Sequence, residues 1–370
     1  MGLYVELTSS AQNAYADLFD SVLSSSVSNS VAGLSGSFGT KNVHQKKYWY
    51  FQYRDINGSV KQIYIGPDSE KIRKLIELHQ SHAEQPIGRL AAAAVALGCN
   101  PVLPKHYRVI KRLAEYGFFR RGGILVGTHA FLTMCNMLGI TPAERMQTQD
   151  VDFAHAGKNI SIALPATIKV ETRTALESLE MGLIPVSTFT GTEGARYLNP
   201  SDPAFMVDFL TAKTSVKDEP VHIEGLSIAL QPLKFMEFSM KHPVQAVALG
   251  NDGAVLVSVP RPDRFAIHKL IVSAERKISE TAKINKDVRQ ANVLIQYYLD
   301  NRPDEIAETC REAKENGPGW EKPLRKGLAK LKKLNPAAAG LLHDAIGGSK
   351  GRSAQAMVDR HAANHRQESQ

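Results

Sequence analysis

The chain has 370 residues, 43% of them hydrophobic and 22% charged, and a formal net charge of +8. That length accommodates two or three domains, or one core with appended helical pieces. Neither a membrane-spanning nor a secreted protein is expected: no apolar run nears the ~20 residues a spanning helix needs, and no basic stretch before an apolar core reads as a signal peptide. Three scattered cysteines, Cys99, Cys135 and Cys310, give no disulfide framework, so the cytoplasm is the expected compartment.

Residues 10 to 24 read as an amphipathic helix, with Ala14, Leu18, Phe19 and Val22 at helical spacing. Ser24 to Gly39 is rich in Ser and Gly and reads as a linker. A β-hairpin follows, with Tyr48, Tyr50 and Phe51 before an Asn57-Gly58 turn and Val60, Ile63 and Ile65 after it. It carries Lys46, Lys47, Arg54 and Lys61 among its aromatics, a mixture suited to stacking on unpaired bases and contacting phosphate. The plainer expectation is a hairpin that packs its aromatics on a neighbouring helix. From Pro67 to about Gly117 the pattern is helical, with Pro67 near a helix start and Leu90 to Leu97 forming an alanine-rich helix.

The segment Gly122 to Phe153 carries the chemistry. A short apolar strand, Ile124 to Val126, breaks at Gly127-Thr128, and a helix is expected to follow. Exposed backbone N–H groups at such a helix start suit a phosphate. The segment closes on Asp150-Val151-Asp152. Strand alternation places both carboxylates on one face, where they suit a hard divalent cation. His129 reads as a structural histidine and Cys135 as core, and His155 receives no role.

Downstream, Ile160 to Leu164 reads as β, Ala175 to Leu183 as helix and Ala204 to Leu210 as strand. Asp208 in the middle of that apolar strand is costly unless something ionic satisfies it. A metal shared with Asp150 and Asp152 would do so, and so would a nearby Lys or Arg. Val221 to Leu230 gives two short strands, Leu233 to Met240 a short helix, and Ala246 to Val259 a hairpin turning at Asn251-Asp252-Gly253. Pro262 opens a helix on which Lys269 and Arg276, two turns apart, share a face. A helix from Lys286 to Leu299 has Lys286-Asp287 at its start, and the remainder reads as helical and basic. From Gly319 onward ten basic residues stand against four acidic ones. That suggests a polyanionic partner, nucleic acid first, with a solvated face as the alternative. No HExxH, P-loop or GxGxxG pattern and no metal-spaced cysteine pair occurs.

These residues together resemble the nucleotidyltransferase superfamily, which has the fold of DNA polymerase β. The resemblance rests on Gly127-Thr128 opening a helix, Asp150 and Asp152 on the next strand and Asp208 on a later one. The run from Lys269 through Arg276 to Lys286-Asp287 is similar to the helical half of the AbiEii/MenT-type bacterial branch. Two departures stand out: Thr128 replaces the usual Gly or Ser, and the gap from Thr128 to Asp150 is long. The resemblance spans about Gly122 to Leu299. It implies an α+β fold, with a nucleotidyltransferase-type mixed sheet, flanking helices, an N-terminal β-hairpin and helical region, and a C-terminal helical bundle. The expected divisions are 1–117, a nucleotidyltransferase-like unit at 118–260, helices at 261–346 and a basic disordered tail at 347–370.

The same resemblance implies Asp150, Asp152 and Asp208 as catalytic ligands of Mg²⁺ or Mn²⁺. It also implies Gly127, Thr128, Lys269, Arg276, Lys286 and Asp287 as the nucleotide-binding set. The implied activity moves a nucleoside monophosphate from an NTP to an acceptor hydroxyl. RNA, foremost tRNA, is the expected acceptor, held by the basic hairpin and tail. A toxin or phage-defence role with a cognate antitoxin follows from the branch. The alternatives are a protein or small-molecule acceptor, and a nucleic-acid-binding module without catalysis. No membrane partner is expected.

Overall fold

The computed structural model describes residues 2–32, 36–43, 46–54, 60–70, 72–73, 87–146, 148–156, 170–187, 193–214 and 218–347. The first strand, β1 (Tyr4–Glu6), leads into α1 (Ser9–Ala32). Ala11, Tyr15, Leu18 and Val22 recur at helical spacing on α1 and are all buried. The expected linker from Ser24 to Gly39 is therefore corrected. Serine is only a mildly poor helix former, and the helix continues to Ala32. Next, β2 (Gly36–Val43) adds a third strand to the expected hairpin of β3 (Lys46–Arg54) and β4 (Val60–Pro67). A lone hairpin is marginal in water, and a third strand relieves that. Pro67 ends β4, opposite Tyr48, and helical residues begin at Glu70, so it lies near a helix start as expected without opening the helix itself.

The helical expectation after Pro67 holds for α2 (Ile87–Ala96) and α3 (Pro104–Glu115); residues 74–86 lie outside the described residues. Then come β5 (Gly123–Val126), α4 (Gly127–Met137), β6 (Ile140–Pro142) and β7 (Asp150–His155). The long spacer from Thr128 to Asp150 is thus occupied by α4 and by β6, which pairs back to β1. The expected β segment at 160–164 lies outside the described residues. The helix expected over Ala175 to Leu183 is shorter, α5 (Thr172–Glu177), and is followed by β8 (Ile184–Ser187), β9 (Glu193–Asn199) and β10 (Asp202–Ala212). Next are β11 (Val221–Ile223), β12 (Ile228–Leu233), α6 (Met236–Met240) and the hairpin β13 (Val244–Leu249) with β14 (Ala254–Val259). The chain ends in α7 (Pro262–Glu275), α8 (Thr281–Asn301), α9 (Pro303–Glu315), α10 (Pro318–Lys332) and α11 (Pro336–Ile346). Proline stands at the start of four of these five helices, where its missing N–H costs nothing.

A seven-stranded mixed sheet organises the middle of the chain. Within it β7 lies between β5, antiparallel, and β10, parallel. The far edge of β10 pairs with β9 antiparallel and then with β12 parallel. One side of the sheet is aromatic: Phe153 stacks on Phe209 at 5.4 Å between ring centres, and Phe118 meets both edge-on. The helices from α7 onward continue the same core through Leu270, Leu294, Leu324 and Leu342. The architecture is α+β, with a mixed sheet, flanking helices and a C-terminal helical bundle. No helix among the described residues is long and apolar enough to cross a membrane.

Candidate functional site

The alternation of β7 puts Asp150 and Asp152 on one face while Val151 and Phe153 enter the core on the other. Parallel pairing then sets Asp208 of β10 directly beside Asp152. From the other side, Val126 at the end of β5 pairs with Asp152, so the chain turns at Gly127 against that carboxylate. Gly127 has φ +68°, and a Cβ added there would lie 2.0 Å from Asp152 Oδ2. Both the backbone conformation and the space require glycine. Thr128, at the start of α4, accepts a hydrogen bond from Gln290 Nε2 of α8 at 3.1 Å.

The cationic half comes from α7 and α8. Asp287, almost fully buried, accepts from Lys269 Nζ and from Arg276 Nε, both at 2.6 Å. Arg276 also reaches Glu280 at 3.2 Å. These contacts refine two expectations. Asp287 ties Lys269 and Arg276 together across α7 and α8. Arg276 caps α7 at its C-terminal end instead of continuing its face, and Lys286-Asp287 lies inside α8 rather than at its start. Lys283 and Lys286 make no ion pair among the described residues. Spaced at i and i+3 on α8, they act electrostatically on Asp150, and Lys286 acts also on Asp152.

Three residues escaped the sequence reading. Arg196 of β9 stands opposite Asp208 in the antiparallel register. It donates to both of that carboxylate's oxygens, at 2.6 and 2.8 Å. A Lys or Arg partner for Asp208 is one of the two expectations, but which residue supplies it depends on the register of two strands. Lys283 and Gln290 share the α8 face of Lys286-Asp287, and helical spacing alone would have found them.

The electrostatics are strained on the acidic side. Burial, with Asp208 adding to it, pushes the Asp152 carboxyl up to about 6, against the pull of Lys269 and Lys286. Asp150 is raised by burial and by Asp208. Burial works against Asp287 too, but Lys269 and Arg276 outweigh it and hold its carboxyl below the usual range. Lys286 is lowered by burial and by Lys269. Beside this set, His129 is buried, and its Nε2 lies 2.9 Å from His106 Nδ1. Burial pushes His129 down to about 3 and His106 to about 4, so both are neutral near pH 7. Cys135 is core. His155 is buried, 2.7 Å from the Arg121 carbonyl through its Nε2.

All nine expected site residues, with Arg196 and Lys283, line one cleft of about 1300 Å³. The sheet strands bring Asp150, Asp152 and Asp208 together with Arg196, and α7 and α8 bring the lysines, a mixture suited to an anionic ligand carrying a cation between it and the sheet. The donor set fits a hard divalent ion by chemistry. It offers carboxylate oxygens from neighbouring strands, two of them on groups whose charge their surroundings disfavour. In the present side-chain positions Arg196 takes both oxygens of Asp208. No three His, Cys, Asp or Glu side chains converge as an ion cage among the described residues.

A glycine turn at a helix start, strand carboxylates and facing lysines make a site whose chemistry suits phosphate esters. The sequence model of a family described as Nucleotidyltransferase matches residues 105–315, more than half of the chain, and the chain belongs to that nucleotidyltransferase family. A similar solved structure is that of an antigenic nucleotidyltransferase-like protein from Paracoccidioides brasiliensis. It is 14% identical, with a TM-score of 0.35, over 66% of this chain and 94% of that one. Among curated proteins no match is found.

Proposed function

We propose that this protein is a metal-dependent nucleotidyltransferase that moves a nucleoside monophosphate from an NTP to an acceptor hydroxyl, with RNA, foremost tRNA, as the acceptor. One observation carries the reading: Asp152 and Asp208 lie side by side across β7 and β10, against the Gly127 turn and facing the lysines of α8. In the proposed reaction an acceptor oxygen forms a bond to the α-phosphorus, and the bond from that phosphorus to the pyrophosphate oxygen breaks. Arg196 first swings off Asp208, the acceptor proton then passes to the freed Asp208 carboxylate, and pyrophosphate leaves. Asp150, Asp152 and Asp208 would hold Mg²⁺ or Mn²⁺, which supplies charge neutralisation at the phosphates undergoing transfer.

The remaining roles belong to the chain's own groups. Backbone N–H groups at Gly127 and Thr128 bind phosphate oxygens. Gln290 donates to the Thr128 hydroxyl and so leaves its O–H free to point at the ligand. Lys283 and Lys286 meet the triphosphate charge directly. Lys269 and Arg276, fixed by Asp287, add positive potential behind them. Positioning and preorganised charge are most of what phosphoryl chemistry asks of a protein.

The test incubates the protein with Mg²⁺, each of the four α-labelled NTPs in turn and total tRNA. Label is expected on RNA, and Asp152→Asn is expected to reduce it by at least about a hundredfold. Label appearing on protein or on a small molecule would reassign the acceptor. The Arg196–Asp208 ion pair favours a second reading, a nucleic-acid-binding module without catalysis. That reading requires Mn²⁺ binding to be indifferent to Asp150→Asn and Asp152→Asn. A toxin or defence role of the AbiEii/MenT kind, with a cognate antitoxin, belongs to the same proposal. It requires growth arrest on expression, relieved by Asp152→Ala.

A further inference from the structure

The sheet of β2, β3 and β4 stands apart from this site. Its three strands hold five cationic residues, Lys41, Lys46, Lys47, Arg54 and Lys61, and no Asp or Glu. Strand alternation sets Lys46, Tyr48 and Tyr50 on one face of β3. Lys41 pairs with Tyr48 across β2, and Tyr64 pairs with Tyr50 across β4. The Tyr64 ring lies 6.1 Å from Tyr48 and 5.5 Å from Tyr50, centre to centre. Lys41 Nζ lies 5.0 Å from the Tyr50 ring centre and donates to Gln62 Oε1 at 2.5 Å. Tyr64 is 54% exposed, and Lys41 and Lys46 are exposed. None of the three tyrosines belongs to a core cluster among the described residues. A row of half-open rings flanked by lysines, without a single carboxylate on the three strands, is an unusual surface for a folding unit to keep. It is complementary to a ligand that is both flat and polyanionic.

We propose that this face binds an unpaired segment of RNA. Bases stack on Tyr48, Tyr50 and Tyr64, and phosphates lie over Lys41 and Lys46. Stacking on aromatic side chains accepts any base and requires that the bases be unpaired. The lysines add a salt-dependent attraction to the backbone. The inference rests on the RNA-acceptor reading and gives it a second point of attachment, independent of the carboxylate cleft.

The test is fluorescence anisotropy of the full chain with a labelled single-stranded oligouridine, and with the same strand paired into a duplex, at several salt concentrations. The wild type is expected to prefer the single strand. Replacing Tyr48 and Tyr64 together by Ala is expected to weaken binding roughly tenfold or more. Replacing both by Phe, which keeps the rings, is expected to retain it. Lys41→Gln with Lys46→Gln alters exposed side chains alone and so keeps the fold. That pair is expected to flatten the plot of log affinity against log salt by roughly 0.7 for each phosphate that a lysine no longer neutralises.

Two outcomes overturn the proposal: wild-type affinity and salt slope in both the alanine and the glutamine pairs, or binding to anionic phosphatidylserine vesicles without binding to the strand. Asp152→Asn separates this surface from the cleft. Tyrosine-dependent RNA binding that persists while no protein form transfers label would remove the catalytic reading and leave this one standing.

Discussion

Asp152 bears the tension of the site. It lies between a second carboxylate on its own strand and a third on the next, with a glycine turn pressed on it. Its carboxyl stands at about 6, against 3.8 as the ordinary value. The folded protein therefore holds that proton more tightly than the unfolded chain. Well below pH 3.8 both states are protonated and there is no cost. As pH rises through about 6 the folded state must carry a charge it disfavours, and stability falls to a plateau. Asp152→Asn cannot titrate, so its advantage in melting temperature over the wild type should open between pH 4 and 6. At neutral pH the gap should amount to at most about 3 kcal/mol. Mn²⁺ should narrow it by raising the wild type alone. A gap that ignores pH would sink this account of the site. The three carboxylates were legible because strand alternation and an acid in an apolar strand are local patterns. Arg196 was not, because it meets Asp208 only through the register of β9 on β10.

At the scale of the element, the join between α7 and α8 decides where the cationic wall stands. Lys269 and Arg276 approach one carboxylate that is 1% exposed, Asp287. Removing the shared partner leaves two hindered cations side by side, a loss of roughly 2–4 kcal/mol after allowance for the partial exposure of Arg276. Arg276→Ala should cost distinctly less, since Lys269 still satisfies Asp287. Urea unfolding of Asp287→Ala and Arg276→Ala would measure the difference, and equal midpoints would contradict it. The helical spacing of Lys269 and Arg276 was readable from sequence, yet α7 ends at Glu275 and Arg276 reaches Asp287 from the cap. Element ends depend on tertiary contacts that propensity does not encode. The same holds for α1, which a serine-rich composition marked as ending eight residues before it does.

Across the whole molecule, the N-terminal segment braces the elements that build the cleft. β1 pairs with β6, immediately after the helix that the Gly127 turn opens. Tyr4 donates to Asp300 at 2.7 Å, on the same helix as Lys283 and Lys286. The buried stripe of α1 packs with Ala91, Ala94, Val247 and Leu249 in a second core, and the Tyr15 hydroxyl accepts from the Val247 N–H at 3.1 Å. A segment anchored at so many points should unfold with the sheet, not before it. Leu18→Ala, at a fully buried position, is therefore expected to cost about 2–5 kcal/mol of global stability. Trp320 tests the coupling, since it packs on Phe235 and Phe238 on the α10 side. In a Trp49→Phe background its fluorescence should lose the native signal at the same denaturant concentration as far-UV circular dichroism, both shifted by Leu18→Ala. A Trp320 transition that stayed at the wild-type midpoint would make α1 a separable arm, and its bracing of the cleft would then have to be abandoned.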